Sequence, residues 1–354
     1  MKKITFILIL GLCLIGLLGC QNSNVTYKDP ETGEEKELKI EKTSEEEEVV
    51  DSIYALLLSD AEIKDNSKIT FDIDFSVEVK DDEQNINVSG NFFASINSNK
   101  EKVTEDLTSE EINKLSKEYY KLTFKGTNTR NDETVKWSRS TIEEFVEDGK
   151  SYLKFDVDEN FVSLLEDIFP PLSFELNQIG DNVIILDKHI FSSFFINLPS
   201  IADSFDAETM PEFLEKYARA SKDSIDYAGL RAETETMVKT LGVEIVNVRG
   251  ADVSYKFNIG ELLKQEYGYN TSSCEIVLTL NVAEIALVDF KIDVISNDND
   301  KETKLSLKCD VSYKDRVSSI SSEDKKNAID GEEYLQDFLM KYGEFIAKKY
   351  QELK

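Results

Sequence analysis

Residues 68–79 read KITFDIDFSVEV. Ile69, Phe71, Ile73, Phe75, Val77 and Val79 fall on one side of this run, and Thr70, Asp72, Asp74, Ser76 and Glu78 on the other. A period of two sustained this long fits a β-strand with one apolar and one wet face. Such a strand must bury its apolar side in a sheet, and one wet face favours antiparallel neighbours over a doubly covered parallel sheet. The next residues supply the partner: DDEQ is a turn and NINVSGNFFASI the return strand.

The same signal recurs. Strands are expected at about 119–127, 133–139, 142–147 and 151–157, the last two joined at Asp148-Gly149. VEIVNV and DVSYKFNI form another pair, turning at residues 249–251. CEIVLTLNV, ALVDFKIDVI and TKLSLKCDVSY form a three-strand meander. Helices are fewer. Val49, Val50, Ile53, Leu56 and Leu57 share one helical face behind an acidic start, which predicts a helix over 45–59. Thr108 with Glu111, and Thr209 with Glu212, read as capping boxes. FVSLLEDIF is helical up to Pro170, and RAETETMVKTL is a helix stopped by Gly242. Ile329, Leu335, Phe338, Leu339, Tyr342, Phe345, Ile346 and Tyr350 lie along one face of a C-terminal helix and read as core. The expected fold is α+β: a long antiparallel, curved, half-barrel-like sheet, helices on its concave face, and a C-terminal amphipathic helix.

The first residues carry a different message. Lys2 and Lys3 precede an apolar run to Leu18, too short to span a bilayer. It stops at Leu17-Leu18-Gly19-Cys20, followed by a polar stretch. This segment resembles the lipobox of bacterial lipoproteins. The resemblance implies cleavage between Gly19 and Cys20, a lipid on the Cys20 thiol, lipoprotein-processing enzymes as partners, and an extracytoplasmic place on the cell membrane. Two or three acyl chains at about 0.8 kcal/mol per methylene hold a domain without a spanning helix. An uncleaved anchor helix is the alternative. The chain then divides into a signal peptide (1–19), an acidic flexible tether (20–48) and an ectodomain (49–354). Two similar halves, about 67–157 and 243–314, flank a helical middle insertion (158–242), with the C-terminal helix at about 323–353.

Over residues 67–314 the order of long strands and short helices resembles the lipoprotein-carrier and lipoprotein-localisation (LolA/LolB-type) fold. In that fold an incomplete barrel of antiparallel strands shelters acyl chains. The resemblance is one of pattern and carries over no functional residue.

Chemistry is sparse. The chain has 354 residues, with 41 Lys and Arg against 70 Asp and Glu. Without residues 1–19 two lysines go and no acid, so the net charge is −31. That opposes nucleic acid and anionic headgroups. His189 is the sole histidine, and a triad or a His-based zinc site would have to pass through it. Asp156, Asp158 and Asn160 open like a calcium loop, but Phe161 replaces the turning Gly and Asp167 stands at the closing position. Asp298, Asp300 and Glu302 lack a closing carboxylate. Ser322 and Lys325 have Ser-x-x-Lys spacing without companion motifs and read as a helix start. Trp137 is the sole tryptophan, which disfavours a sugar cleft. Cys274 and Cys309 lie about six residues apart in level, roughly 20 Å, too far for a disulfide.

No cofactor, metal or catalytic residue is expected, and the chain reads as a non-enzymatic binding protein for an apolar ligand such as an acyl chain. The Phe-rich middle supplies the expected lining: Phe169, Phe174, Phe191, Phe194 and Phe195. A surface interaction protein with no small ligand is the second reading. A filled interior favours the second and a cavity favours the first.

Overall fold

The computed structural model describes residues 24–30, 32–59, 65, 67–98, 116–168, 172–173, 176, 179–180, 182–187, 227–260, 264, 271–284, 286–298 and 301–352. In chain order the elements are β1 (Asn24–Lys28), β2 (Glu35–Lys39), α1 (Glu46–Leu58), β3 (Lys68–Lys80), β4 (Gln84–Ser98), β5 (Ser116–Arg130), β6 (Glu133–Glu147) and β7 (Lys150–Asp156). Then come α2 (Glu159–Ile168), β8 (Ile184–Leu186), α3 (Tyr227–Leu241), β9 (Glu244–Arg249), β10 (Asp252–Asn258), β11 (Thr271–Asn281), β12 (Ala286–Asp298) and β13 (Lys301–Ser312). The chain closes with α4 (Ser322–Asn327), β14 (Ile329–Asp330) and α5 (Glu332–Glu352). The class is α+β, built on long antiparallel strands, as the alternation requires.

Two units emerge, one from residues 1–65 and 195–311, the other from 66–194 and 312–354. In the first unit β9 to β13 pair antiparallel in sequence order. Helices α1 and α3 cover one face of that sheet. Val49, Val50 and Ile53 of α1 and Met237, Val238 and Leu241 of α3 meet Ile245, Val253, Tyr255, Phe257, Leu278 and Leu280 in one buried core. Each such side chain contributes roughly 1.5–3 kcal/mol on burial. Three acids in the first turn of α1 favour its N-terminus. Gly242 ends α3 at φ +53, a conformation that suits glycine. The buried Ser52 hydroxyl and Tyr255 hydroxyl share a hydrogen bond of 2.6 Å, which satisfies that polar pair between helix and sheet.

In the second unit β3 to β7 pair antiparallel in order, β8 joins β7, and β14 adds to β8 in parallel. The DDEQ turn is an Asx turn in which Asp81 Oδ1 accepts from the backbone N–H of Glu83 and Gln84.

Several expectations need correction. The stretch read as a flexible tether contains the β1–β2 hairpin, with Gly33 at φ +72 in its turn. Val25 and Ile40, 3% and 2% exposed, enter the first core, and Thr43 bridges to Ile245. The strands expected at 133–139 and 142–147 are one strand, β6, which absorbs a bulge opposite Phe124 and Gly126. Of the stretch read as a middle insertion, α2 and β8 fall in the second unit and α3 in the first. The C-terminal helix is two helices broken at β14, and Leu339 and Tyr342 of the expected core stripe are 55% and 41% exposed. Periodicity gives a helix an apolar face but does not say that anything covers it.

The two thiols are free and buried, as expected. Cys274 pairs with Val294 and Cys309 with Phe290, so four residues of β12 separate their levels, about 13 Å. Burial pushes the Cys274 thiol up to about 11.

Candidate functional site

The alternating run at residues 68–79 makes one row of an apolar face in the second unit. Ile69, Phe71, Ile73, Phe75, Val77 and Val79 of β3 stand opposite Ile96, Ala94, Phe92, Gly90, Val88 and Ile86 of β4. The next row, on β5, is Glu118, Tyr120, Leu122, Phe124, Gly126 and Asn128. The row on β6 is Val146, Glu144, Ile142, Ser140, Trp137 and Val135. Across these rows the cover changes. Tyr120, Phe124, Trp137 and Val146 are buried. All six apolar residues of β3 stay partly exposed, as do Ile86, Val88, Phe92 and Ile96 of β4. Helix α2 accounts for the covered side: the Phe161 ring packs at 4.8 Å on Phe124 and 5.5 Å on Trp137.

Two glycines shape this face. A methyl at Gly90 would fall 2.7 Å from the Phe75 ring, and one at Gly126 would fall 2.3 Å from Trp137 Cζ2. Each aromatic therefore reaches over a glycine of the adjoining strand. Trp137 reaches from β6 over β5, carrying its Cζ2–Cε2 edge above Gly126, which pairs with Val88 of β4. Its indole N–H is buried with no hydrogen-bond partner among the described residues.

The ends of the face are polar. Glu144 is fully buried and accepts from the Ser151 hydroxyl at 2.5 Å. Glu118 accepts from the Tyr120 hydroxyl at 2.8 Å and the Ser116 hydroxyl at 3.1 Å. At the other end Gln84 donates to Asn128 at 2.8 Å.

The opposite face of the same strands holds an ionic clamp. Tyr119 and Lys121 donate to Glu143, and Lys325 donates to Glu147, whose side chain is nearly buried. Burial alone would raise both carboxyls, but these donors hold them below the usual carboxylate range. Glu147 holds Lys325 above its usual value, and that ammonium also lies over the Tyr152 ring at 5.7 Å. The clamp fixes residues 313–328 against the sheet, helped by Thr70 donating to the Lys314 carbonyl at 3.0 Å. Val317, Ile320 and Ala328 pack there on Tyr119 and Phe145. This arrangement holds a chain segment; no group of three metal-ligating side chains occurs among the described residues.

The residues singled out from sequence fare unevenly. Gly19, Cys20, Phe169, Phe174, Phe191, Phe194 and Phe195 lie outside the described residues, as do His189 and both Thr-led capping boxes. Asp158 serves as a capping group: it accepts from the Ser138 N–H and hydroxyl and from Asn160 N–H, which keeps its carboxyl low. Ser321, one residue before Ser322, caps α4 by accepting from Asp324 N–H at 2.9 Å. The partly exposed β3–β4 face and its indole donor were missed as a site. Their signal was present: long alternation, glycines at 90 and 126, and a sole tryptophan.

No protein-family model matches the chain, and no curated protein matches it. Among the described residues no helix is long and apolar enough to cross a membrane.

Proposed function

We propose that this protein is an extracytoplasmic lipoprotein, anchored to the cell membrane through lipid on Cys20, that binds an apolar ligand such as an acyl chain without acting as an enzyme. The observation that carries the reading is the partial exposure of every apolar residue on β3, where β9 to β11 of the first unit bury theirs under α1 and α3. An apolar strip of this kind is costly in water unless something occupies it. Phe71, Ile73, Phe75, Val77, Val88 and Phe92 would line it. The Phe-rich residues 169–195 remain the proposed further lining.

Native mass spectrometry and lipid extraction test the ligand, using the chain from Gln21 onward made in a bacterial cytoplasm without detergent. A lipid retained in stoichiometric amount is the expected result, with loss of that lipid in Val77→Asp. A bare mass together with no uptake of a fluorescent fatty acid contradicts it. The anchor is tested separately by incorporation of labelled palmitate, which Cys20→Ser should abolish.

One observation favours the second reading, an interaction protein with no small ligand. Leu339, Met340 and Tyr342 of α5 are 55%, 59% and 41% exposed, an apolar group suited to a protein partner. A bare mass would leave that reading standing.

A further inference from the structure

The unpartnered indole N–H of Trp137 narrows the ligand class. A buried donor left without an acceptor costs about 1–3 kcal/mol, so native proteins seldom keep one. Trp137 is 1% exposed, and its Nε1 meets no acceptor among the described residues. The position is built rather than loose. Gly126 has no side chain, which lets the ring lie across β5, and Phe161 holds the ring from above. The ring edge next to the nitrogen lies over Gly126, whose register partners across the sheet are Val88 and then Val77, in the partly exposed rows. The orphan donor and the apolar strip lie on one continuous side of the sheet.

We infer that this face takes acyl esters or other acylated amphiphiles, whose carbonyl oxygen accepts from Trp137 Nε1 while the hydrocarbon lies along β3 and β4. The inference rests on the apolar-ligand reading and adds to it a requirement for an acceptor oxygen at one place on the chain. Plain hydrocarbons fill the strip but leave the indole unpaired. The acidic surface sharpens the preference for a neutral ester over a fatty-acid anion, because the net charge is −29.

The test uses the full chain held in a sterol-based detergent, which has no acyl chains of its own. Methyl laurate and tetradecane, matched in length, are each titrated against a bound fluorescent acyl probe. Trp137→Phe keeps an aromatic ring at this position and removes the donor together with some indole area, a loss both ligands share. It should weaken methyl laurate about three- to ten-fold more than tetradecane. The sole tryptophan gives a second readout in the wild-type chain, which stands even if the variant folds poorly. Its single indole N–H resonance should move downfield with methyl laurate and stay put with tetradecane. If both ligands displace the probe, Trp137→Phe affects them equally and the resonance responds to both alike, the ester inference is overturned and the apolar-ligand reading survives. If neither ligand displaces the probe, the apolar-ligand reading itself falls.

Discussion

The two units present the same problem and solve it differently. Each has an antiparallel sheet with one apolar side. In the first unit α1 and α3 lie on that side and bury Ile245, Val253, Tyr255, Phe257 and Leu278 of β9 to β11, while Phe290, Ile292 and Val294 of β12 stay partly exposed. In the second unit α2 covers the β5–β6 portion through Phe161, and the cover thins over β4 and β3. The rows that alternate most cleanly in the sequence are thus the ones left partly open. Alternation dictates that a face is apolar, and it leaves the cover to whatever else the chain or a ligand brings.

Substitutions can break or sharpen this contrast. The largest effect is expected in the filled core, where Phe257→Ala should cost about 3–5 kcal/mol in urea unfolding. Gly126→Ala comes next at about 1–3 kcal/mol, since its methyl collides with Trp137 and with the Asn87 carbonyl, and it should shift the tryptophan emission. Glu147→Gln should cost about 1–2 kcal/mol; the buried carboxyl loses its charge while Lys325 and Lys117, 32% and 55% exposed, recover water. Phe71→Ala should cost only about 1 kcal/mol, because part of its surface is already wet. A Phe71→Ala loss as large as that of Phe257→Ala would erase the contrast.

The clamp adds a pH prediction. Glu143 and Glu147 are held below the ordinary carboxylate range in the folded state. Their contribution is full above the unfolded value of about 4.3 and is lost as pH falls through the lower folded values. The unfolding midpoint should therefore drop below about pH 4, and less so in a Glu143→Gln/Glu147→Gln double variant. The smallest effect is a null one. Cys274 and Cys309 should not react with a thiol reagent near neutral pH until the chain unfolds, because both are buried and the Cys274 thiol is pushed up to about 11.

Much of the strand order was legible because period two survives any tertiary context. Residues 68–79 and 85–96 lie within β3 and β4 and pair with Ile69 opposite Ile96, as a four-residue turn dictates. The hairpin at 24–39 went unread although Val25, Tyr27, Leu38 and Ile40 alternate around Gly33. Its acidic dilution hid four apolar residues that only a neighbouring core makes sense of. The bulge in β6 had no local signature, so one strand read as two, and with that shift the seat of Trp137 on Gly126 was out of reach. The stripe on α5 was read correctly as a helix face and wrongly as core at Leu339 and Tyr342, since cover is a property of the surroundings.

The most direct test of the open face uses Trp137 as a reporter within the second unit. An acyl chain carrying bromine atoms near its carbonyl quenches tryptophan only on contact. Added to the full chain in a sterol-based detergent, it should quench Trp137 emission to a plateau at one ligand per chain, and Val77→Asp should prevent this. Saturable binding with unchanged emission, or no binding at all, would contradict the assignment of the β3–β4 face.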